Sequence, residues 1–253
     1  MKTPVVVLGV PIHPLTMTEV LDIVDDTIRR RGSLQIGVVN AAKIVNMARD
    51  EMLRRDVLSS DVVVADGMAV VWASRILGRP LPERVAGIDL MSEMLRRGHE
   101  RGYRLFCLGA TEEVSQKVAE RIAVEFPNIH LVGRRNGYFR ADEEQGIAES
   151  IAACRADILL VAMTSPKKEQ FLARWSERIG VPVCHGVGGS FDVMAGKVER
   201  APDGWQRLGL EWLYRVKQEP GRLWRRYLVT NTLFCGMVLT EWLSGVFHAR
   251  SPR

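Results

Sequence analysis

Short runs of valine, isoleucine and leucine alternate with longer amphipathic stretches through the first four fifths of this chain, and no other feature limits its fold so strongly. Residues 35–39, 61–65, 104–108, 157–162 and 181–185 read as strands, apolar on both faces as strands inside a covered sheet must be. Residues 17–30, 68–77, 112–125, 143–153 and 168–179 read as helices. Repeated succession of strand and helix predicts an α/β fold, a mainly parallel, Rossmann-like sheet flanked by helices. Thr111 before Glu112 and Glu113 marks a helix start, with Pro127 at its stop. Gly109 falls at a strand-to-helix turn, and residues 133–137 read as a surface connection.

The character of the chain changes near Ala201-Pro202. Residues 200–253 hold nine Arg or Lys against four Asp or Glu, an excess equal to the +5 of the whole chain, so residues 1–199 are neutral overall. These arginines are interleaved with Trp205, Trp212, Trp224, Tyr227, Phe234, Trp242 and Phe247. Basic residues mixed with amphipathic aromatics suit an anionic membrane surface or a phosphate-bearing lipid better than nucleic acid. We therefore divide the chain into an α/β domain, residues 1–200, and a basic, aromatic-rich helical C-terminal appendage, residues 201–253. In the appendage Trp205, Leu208, Trp212, Leu213 and Val216 share one helical face that Pro220 ends, and a second helix runs from Arg222. Residues 227–247 approach the ~20 residues of a membrane span, but Thr230, Asn231, Thr232, Thr240 and Glu241 make insertion costly and predict an interfacial helix. Residues 1–9 lack the marks of a secretory signal, which predicts a cytosolic location. Cys107, Cys154, Cys184 and Cys235 are widely spaced among apolar neighbours and read as core thiols without disulfides.

Missing motifs exclude whole classes. The chain has no His-Glu-x-x-His, Walker phosphate loop or Gly-x-Gly-x-x-Gly after a strand, and no Asp-x-Asp pair to hold a divalent ion on a sugar-nucleotide diphosphate. Any phosphates must then be met by cationic side chains and backbone amides. Asp66 follows the strand at 61–65, where open parallel sheets keep their crevice; its carboxylate can act as a base or cap the helix that begins near Met68. Asn40 can bind a sugar or cap a helix, and Arg84 can pair with phosphate or simply face solvent. Residues 186–190, Gly-Val-Gly-Gly-Ser, allow backbone N–H groups to approach a diphosphate or a base, or serve only as a tight turn. Lys167 and Lys168 at a helix start oppose its dipole, which an anion nearby would explain, or they only solvate a loop. Arg215, Arg222, Arg225 and Arg226 crowd the appendage.

Taken in order, Ala65-Asp66-Gly67, Trp72-x-x-Arg75-x-Leu77-Gly78, Glu83-Arg84-Val85-Ala86-Gly87-x-Asp89-Leu90, Ser165-Pro166-Lys167, the run from Gly186 to Asp192, Arg200-Ala201-Pro202 and Gly209-Leu210-Glu211-Trp212-Leu213-Tyr214-Arg215 with Glu219-Pro220 cover nearly the whole chain. This ordered set resembles the WecG/TagA/CpsF family of bacterial glycosyltransferases. The resemblance implies an inverting hexosyl- or N-acetylhexosaminyltransferase of cell-surface polysaccharide synthesis. It would move sugar from a UDP-sugar to an undecaprenyl-diphosphate-linked saccharide, with no metal or other cofactor, peripheral on the inner face of the cell membrane; a homo-oligomer is left open. By resemblance Asp66 is the general base, with Asn40 and Arg84 beside it. Gly186, Gly188, Gly189, Ser190, Phe191 and Asp192 belong to the donor pocket, while Arg215, Arg222 and Arg225 complete the site from the appendage. Val38 and Lys168 stand where the family commonly has threonine and glutamine, and both positions bear on which sugar is accepted. The alternative is a non-catalytic peripheral membrane protein that binds nucleotide or lipid through the same arginines.

Overall fold

The computed structural model describes residues 2–249, with the side chains of Arg222 and residues 245–249 outside the description. Two three-residue strands, β1 (Val5–Val7) and β2 (Val10–Ile12), open the chain as an antiparallel hairpin. There follow α1 (Met17–Arg30), β3 (Leu34–Val39), α2 (Ala41–Met47), α3 (Glu51–Leu58), β4 (Val62–Ala65), α4 (Met68–Ile76), α5 (Gly87–Arg101) and β5 (Arg104–Gly109). Then come α6 (Glu112–Glu125), β6 (His130–Arg135), α7 (Glu144–Ala153), β7 (Ile158–Ala162), α8 (Lys167–Ile179), β8 (Val183–Gly186) and α9 (Ser190–Met194). The last helices are α10 (Asp203–Arg207), α11 (Glu211–Gln218) and α12 (Pro220–Ala249).

All six strands from β3 to β8 run parallel, in the order β4-β3-β8-β7-β5-β6. Every residue of β4 and β7 is buried, as the uninterrupted apolar runs require of strands covered on both faces. One core lies between the sheet and α1, α5 and α6; two others lie on the opposite face, under α2, α3 and α4 and under α7 and α8. Local signals fix the helix starts: Thr16 and Glu19 form a capping box on α1, and Thr111 caps α6.

Three expectations are corrected. Residues 133–135 belong to β6, an edge strand whose polar, half-exposed residues carry no apolar run. The single face read over residues 205–216 is broken between α10 and α11 by Gly209. Its φ of +66° reverses the chain, and a Cβ there would sit 2.8 Å from Cβ of Met68. The last helix begins at Pro220 rather than at Arg222: Pro220 does follow the end of α11 at Gln218, and it also opens α12, because the first helical position has no hydrogen bond for its missing N–H to lose. Phe234 and Val238 of α12 are buried in the same core as Ile44 of α2 and Val70 of α4. Its Leu228, Val229 and Leu239 are exposed. Among the described residues no helix is long and apolar enough to cross a membrane.

Gly109 ends β5 with a φ of +124°, and a Cβ there would collide with the backbone of Ala162 on β7. Replacing Gly109 with alanine is expected to destabilise the protein by at least about 2 kcal/mol. A urea midpoint equal to wild type would contradict this close approach.

Candidate active site

The carboxyl ends of β3, β4, β7 and β8 open into one cavity of about 1160 Å³, where an open parallel sheet offers its binding crevice. Register fixes its first pair of residues. Val39 lies opposite Ala65, so the next residues, Asn40 and Asp66, leave their strands side by side. Asn40 does two things at once: its Oδ1 accepts the Lys43 N–H at 3.0 Å and caps α2, while its Nδ2 donates to Asp66 Oδ2 at 3.4 Å. The other carboxylate oxygen, Asp66 Oδ1, accepts the Gly87 N–H at 2.8 Å. Asp66 is therefore a cap, but of α5 rather than of the neighbouring α4, whose N-cap Gly67 makes no side-chain bond. Beneath Gly87 lies His185 of β8, wholly buried, with Nδ1 3.3 Å from the Ile36 carbonyl and Nε2 3.4 Å from the Gly87 carbonyl. Burial lowers its pKa. A polar residue inside an apolar strand is the one sequence signal that would have singled out His185.

The lysine-rich start of α8 has its anion within the chain. Glu169 Oε1 lies 2.8 Å from Lys43 Nζ and 3.1 Å from Lys168 Nζ, and all three side chains are about nine-tenths buried. Burial pushes the Glu169 carboxyl up, but the two ammonium groups outweigh it and bring its pKa down to about 2. Burial, joined by Lys168, pulls Lys43 below its ordinary value against the opposing pull of Glu169. The second oxygen of Glu169 is buried and has no hydrogen-bond partner among the described residues. Lys168 also faces the glycine loop, its Nζ 3.8 Å from where a Gly188 Cβ would be. Gly186, Gly188, Gly189 and Ser190 line the cavity with it.

Two residues expected in that pocket do not line the cavity itself. Phe191 is buried in the sheet core, because the first turn of α9 points it inward. Asp192 is not among the residues that line the cavity, and it pairs with Lys197 at 3.8 Å. Arg84 does line the cavity, but its guanidinium is taken up by Glu211 at 3.0 Å and Asp89 at 3.5 Å. Arg200 bridges the same two carboxylates, 2.6 Å from Asp89 and 3.8 Å from Glu211. From the appendage, Arg215 reaches the cavity and Arg225 does not; Arg225 stacks on Trp224, 5.3 Å from the ring centre. Arg226 lines the cavity in its place, since it shares a helical face with Thr230 and Phe234 at four-residue intervals. The side chain of Arg222 lies outside the described residues. Cys235, expected in the core, is exposed on the cavity wall, while Cys107 and Cys184 are buried and all four thiols are free.

A parallel sheet covered on both faces, with the tethered Asp66 and several cationic side chains around a crevice at its carboxyl edge, defines an α/β protein of Rossmann-like architecture. The chain belongs to the glycosyl transferase WecG/TagA/CpsF family, whose model matches residues 5–246. Over 170 residues it is 38% identical to the N-acetylglucosaminyldiphosphoundecaprenol N-acetyl-beta-D-mannosaminyltransferase of Bacillus spizizenii, a match covering 67% of this chain and 65% of that protein. The Bacillus subtilis protein of the same name is 38% identical over 174 residues, covering 68% and 67%. The chain thus spans about two thirds of the length of these relatives.

Glu169→Gln leaves the ammonium groups of Lys43 and Lys168 buried without their counter-charge, and should cost about 3–5 kcal/mol at neutral pH. Glu169 has a folded pKa below its ordinary 4.5, so its contribution is complete above that value and fades as pH falls toward about 2. Urea midpoints of wild type and variant should therefore differ most at pH 7, draw together below pH 4.5 and converge only near pH 2. Equal midpoints at pH 7 would rule out this role for the cluster.

Proposed function

We propose that this chain transfers a hexosyl or N-acetylhexosaminyl group from a UDP-sugar to a saccharide carried on undecaprenyl diphosphate, with inversion and without a metal. The carboxylate of Asp66 carries the reading, held by the Gly87 amide and Asn40 at the mouth of a cation-lined crevice. Names of the relatives, which transfer an N-acetylmannosaminyl group to a diphosphoundecaprenol-linked sugar, support the acceptor class.

In this mechanism an acceptor hydroxyl attacks the anomeric carbon while Asp66 takes its proton. The bond from that carbon to the diphosphate breaks on the opposite face, and UDP departs with the electron pair. Negative charge gathers on the leaving diphosphate, and groups fixed in place before the reaction stabilise it most effectively. Lys168 and Arg215, which line the cavity, serve that role, and Arg84 joins them by exchanging Glu211 for phosphate. The exposed Trp224, Leu228 and Leu243 of α12 rest on the inner face of the cell membrane, among anionic headgroups that attract the neighbouring arginines.

Asp66→Asn should lower turnover of UDP-sugar by about 10²–10⁴-fold with a thermal midpoint close to wild type, because an amide oxygen still accepts the Gly87 N–H. Near-normal turnover in the folded variant would remove Asp66 from the base role, and nucleotide binding by wild type without turnover would favour a binding protein. The double variant Trp224→Ser, Leu228→Ser should lose at least about ten-fold in partitioning onto vesicles with anionic lipid. Undiminished partitioning in a sedimentation assay would place the membrane contact elsewhere.

A further inference from the structure

The cavity is larger than its polar end requires. At about 1160 Å³ it exceeds the ~300–1,000 Å³ of ordinary small-molecule pockets. The polar end holds Asp66, Lys168 and the glycine loop, but the same space continues between α4 and α12. There the walls are Trp72, Ile76, Phe234, Val238, Leu239 and Trp242. Four of these six, Trp72, Ile76, Leu239 and Trp242, are exposed by 43–55%, so the chain itself does not fill the groove they line. Along α4 the groove follows Met68 to Ile76, about 12 Å at 1.5 Å per residue. Its width is set rather than incidental: Phe234 and Val238 anchor α12 in the core, and Arg79, just after α4, pairs with Glu241 at 2.8 Å.

A single cavity that is cationic at one end and hydrocarbon at the other matches an amphiphile with an anionic head and an apolar tail. A nucleoside would meet few polar partners in the apolar half, where Thr230 already spends its hydroxyl on the Arg226 carbonyl. We propose that the groove between α4 and α12 binds the first isoprene units of the lipid-diphosphate acceptor. Its diphosphate lies toward Arg226, and the chain leaves past Ile76 and Leu239. This inference rests on the transferase reading above for the identity of the lipid, and it assigns residues that discriminate a prenyl-linked acceptor from a free one.

Binding to the full chain in detergent-free buffer tests the assignment, with the fluorescence of the tryptophans as signal, since Trp72, Trp212 and Trp242 all line the cavity. The probes are farnesyl diphosphate and inorganic pyrophosphate. Farnesyl diphosphate should bind at least ten-fold more tightly, and that advantage should fall below three-fold in Ile76→Glu and in Leu239→Glu. Both positions are more than half exposed, so the variants should fold, which circular dichroism melting verifies. Equal affinity of the two probes for wild type, or an advantage kept in both folded variants, would overturn the groove. Failure of UDP-sugar turnover would instead sink the transferase reading, and the ratio of the two affinities would still decide where a prenyl chain sits.

Discussion

The hydrogen bond from the Gly87 amide to Asp66 holds the crevice in shape. Helix α5 begins at a residue whose N-cap, Ala86, has no side-chain acceptor, so its first amides need one from elsewhere. Asp66 supplies it across 21 residues of sequence, and in return its carboxylate is fixed in direction at the positive end of a helix. The Gly87 carbonyl faces buried His185 while its amide faces Asp66, so one peptide unit is held from both sides. The carboxylate at the centre of the proposed chemistry is thus positioned by the sheet, by α5 and by the cap of α2 together.

Around it lie two ion clusters of different kind. Arg84 and Arg200 meet Asp89 and Glu211, two charges against two, partly open to solvent. Lys43 and Lys168 share the single carboxylate of Glu169 and are more deeply buried. Paired guanidinium groups can trade one oxygen anion for another at little cost, whereas a buried cation in excess is costly until something negative approaches. The negative charge of Asp66 also acts on Lys43, as a smaller influence than Glu169. The proton-accepting group and the phosphate-binding groups of the proposed mechanism are therefore coupled through electrostatics as well as through backbone.

Most of the sheet could be read from residue pattern because strands buried on both faces leave an unbroken apolar signature, as in β4 and β7. The pattern fails where burial is partial. The β1–β2 hairpin is three residues a side, and β6 is an edge strand with arginines in it. Asp66 and Asn40 were legible because they follow strand ends, where geometry alone selects them. Lys43 and Glu169 were not, since their meeting depends on how α2 and α8 pack across the sheet, and 126 residues separate them. Phase along α12 decides the appendage arginines: a difference of one residue, Arg225 against Arg226, is a turn of 100° on a helix and separates a solvent-facing side chain from one in the cavity. Motif matching finds that such arginines exist, and only packing tells which of them arrives.

The burial of Phe234 and Val238 among residues of α2 and α4 has a consequence for how this protein can be taken apart. Cutting the chain near residue 201 would strip a wall from the hydrophobic interior and leave Ile44 and Val70 wet, so a shortened protein would report damaged folding before it reported lost anchoring. The sheet body and its last helix are moulded from one piece, and single-residue changes on the outer surface of that helix are the cleaner way to separate folding from any surface role.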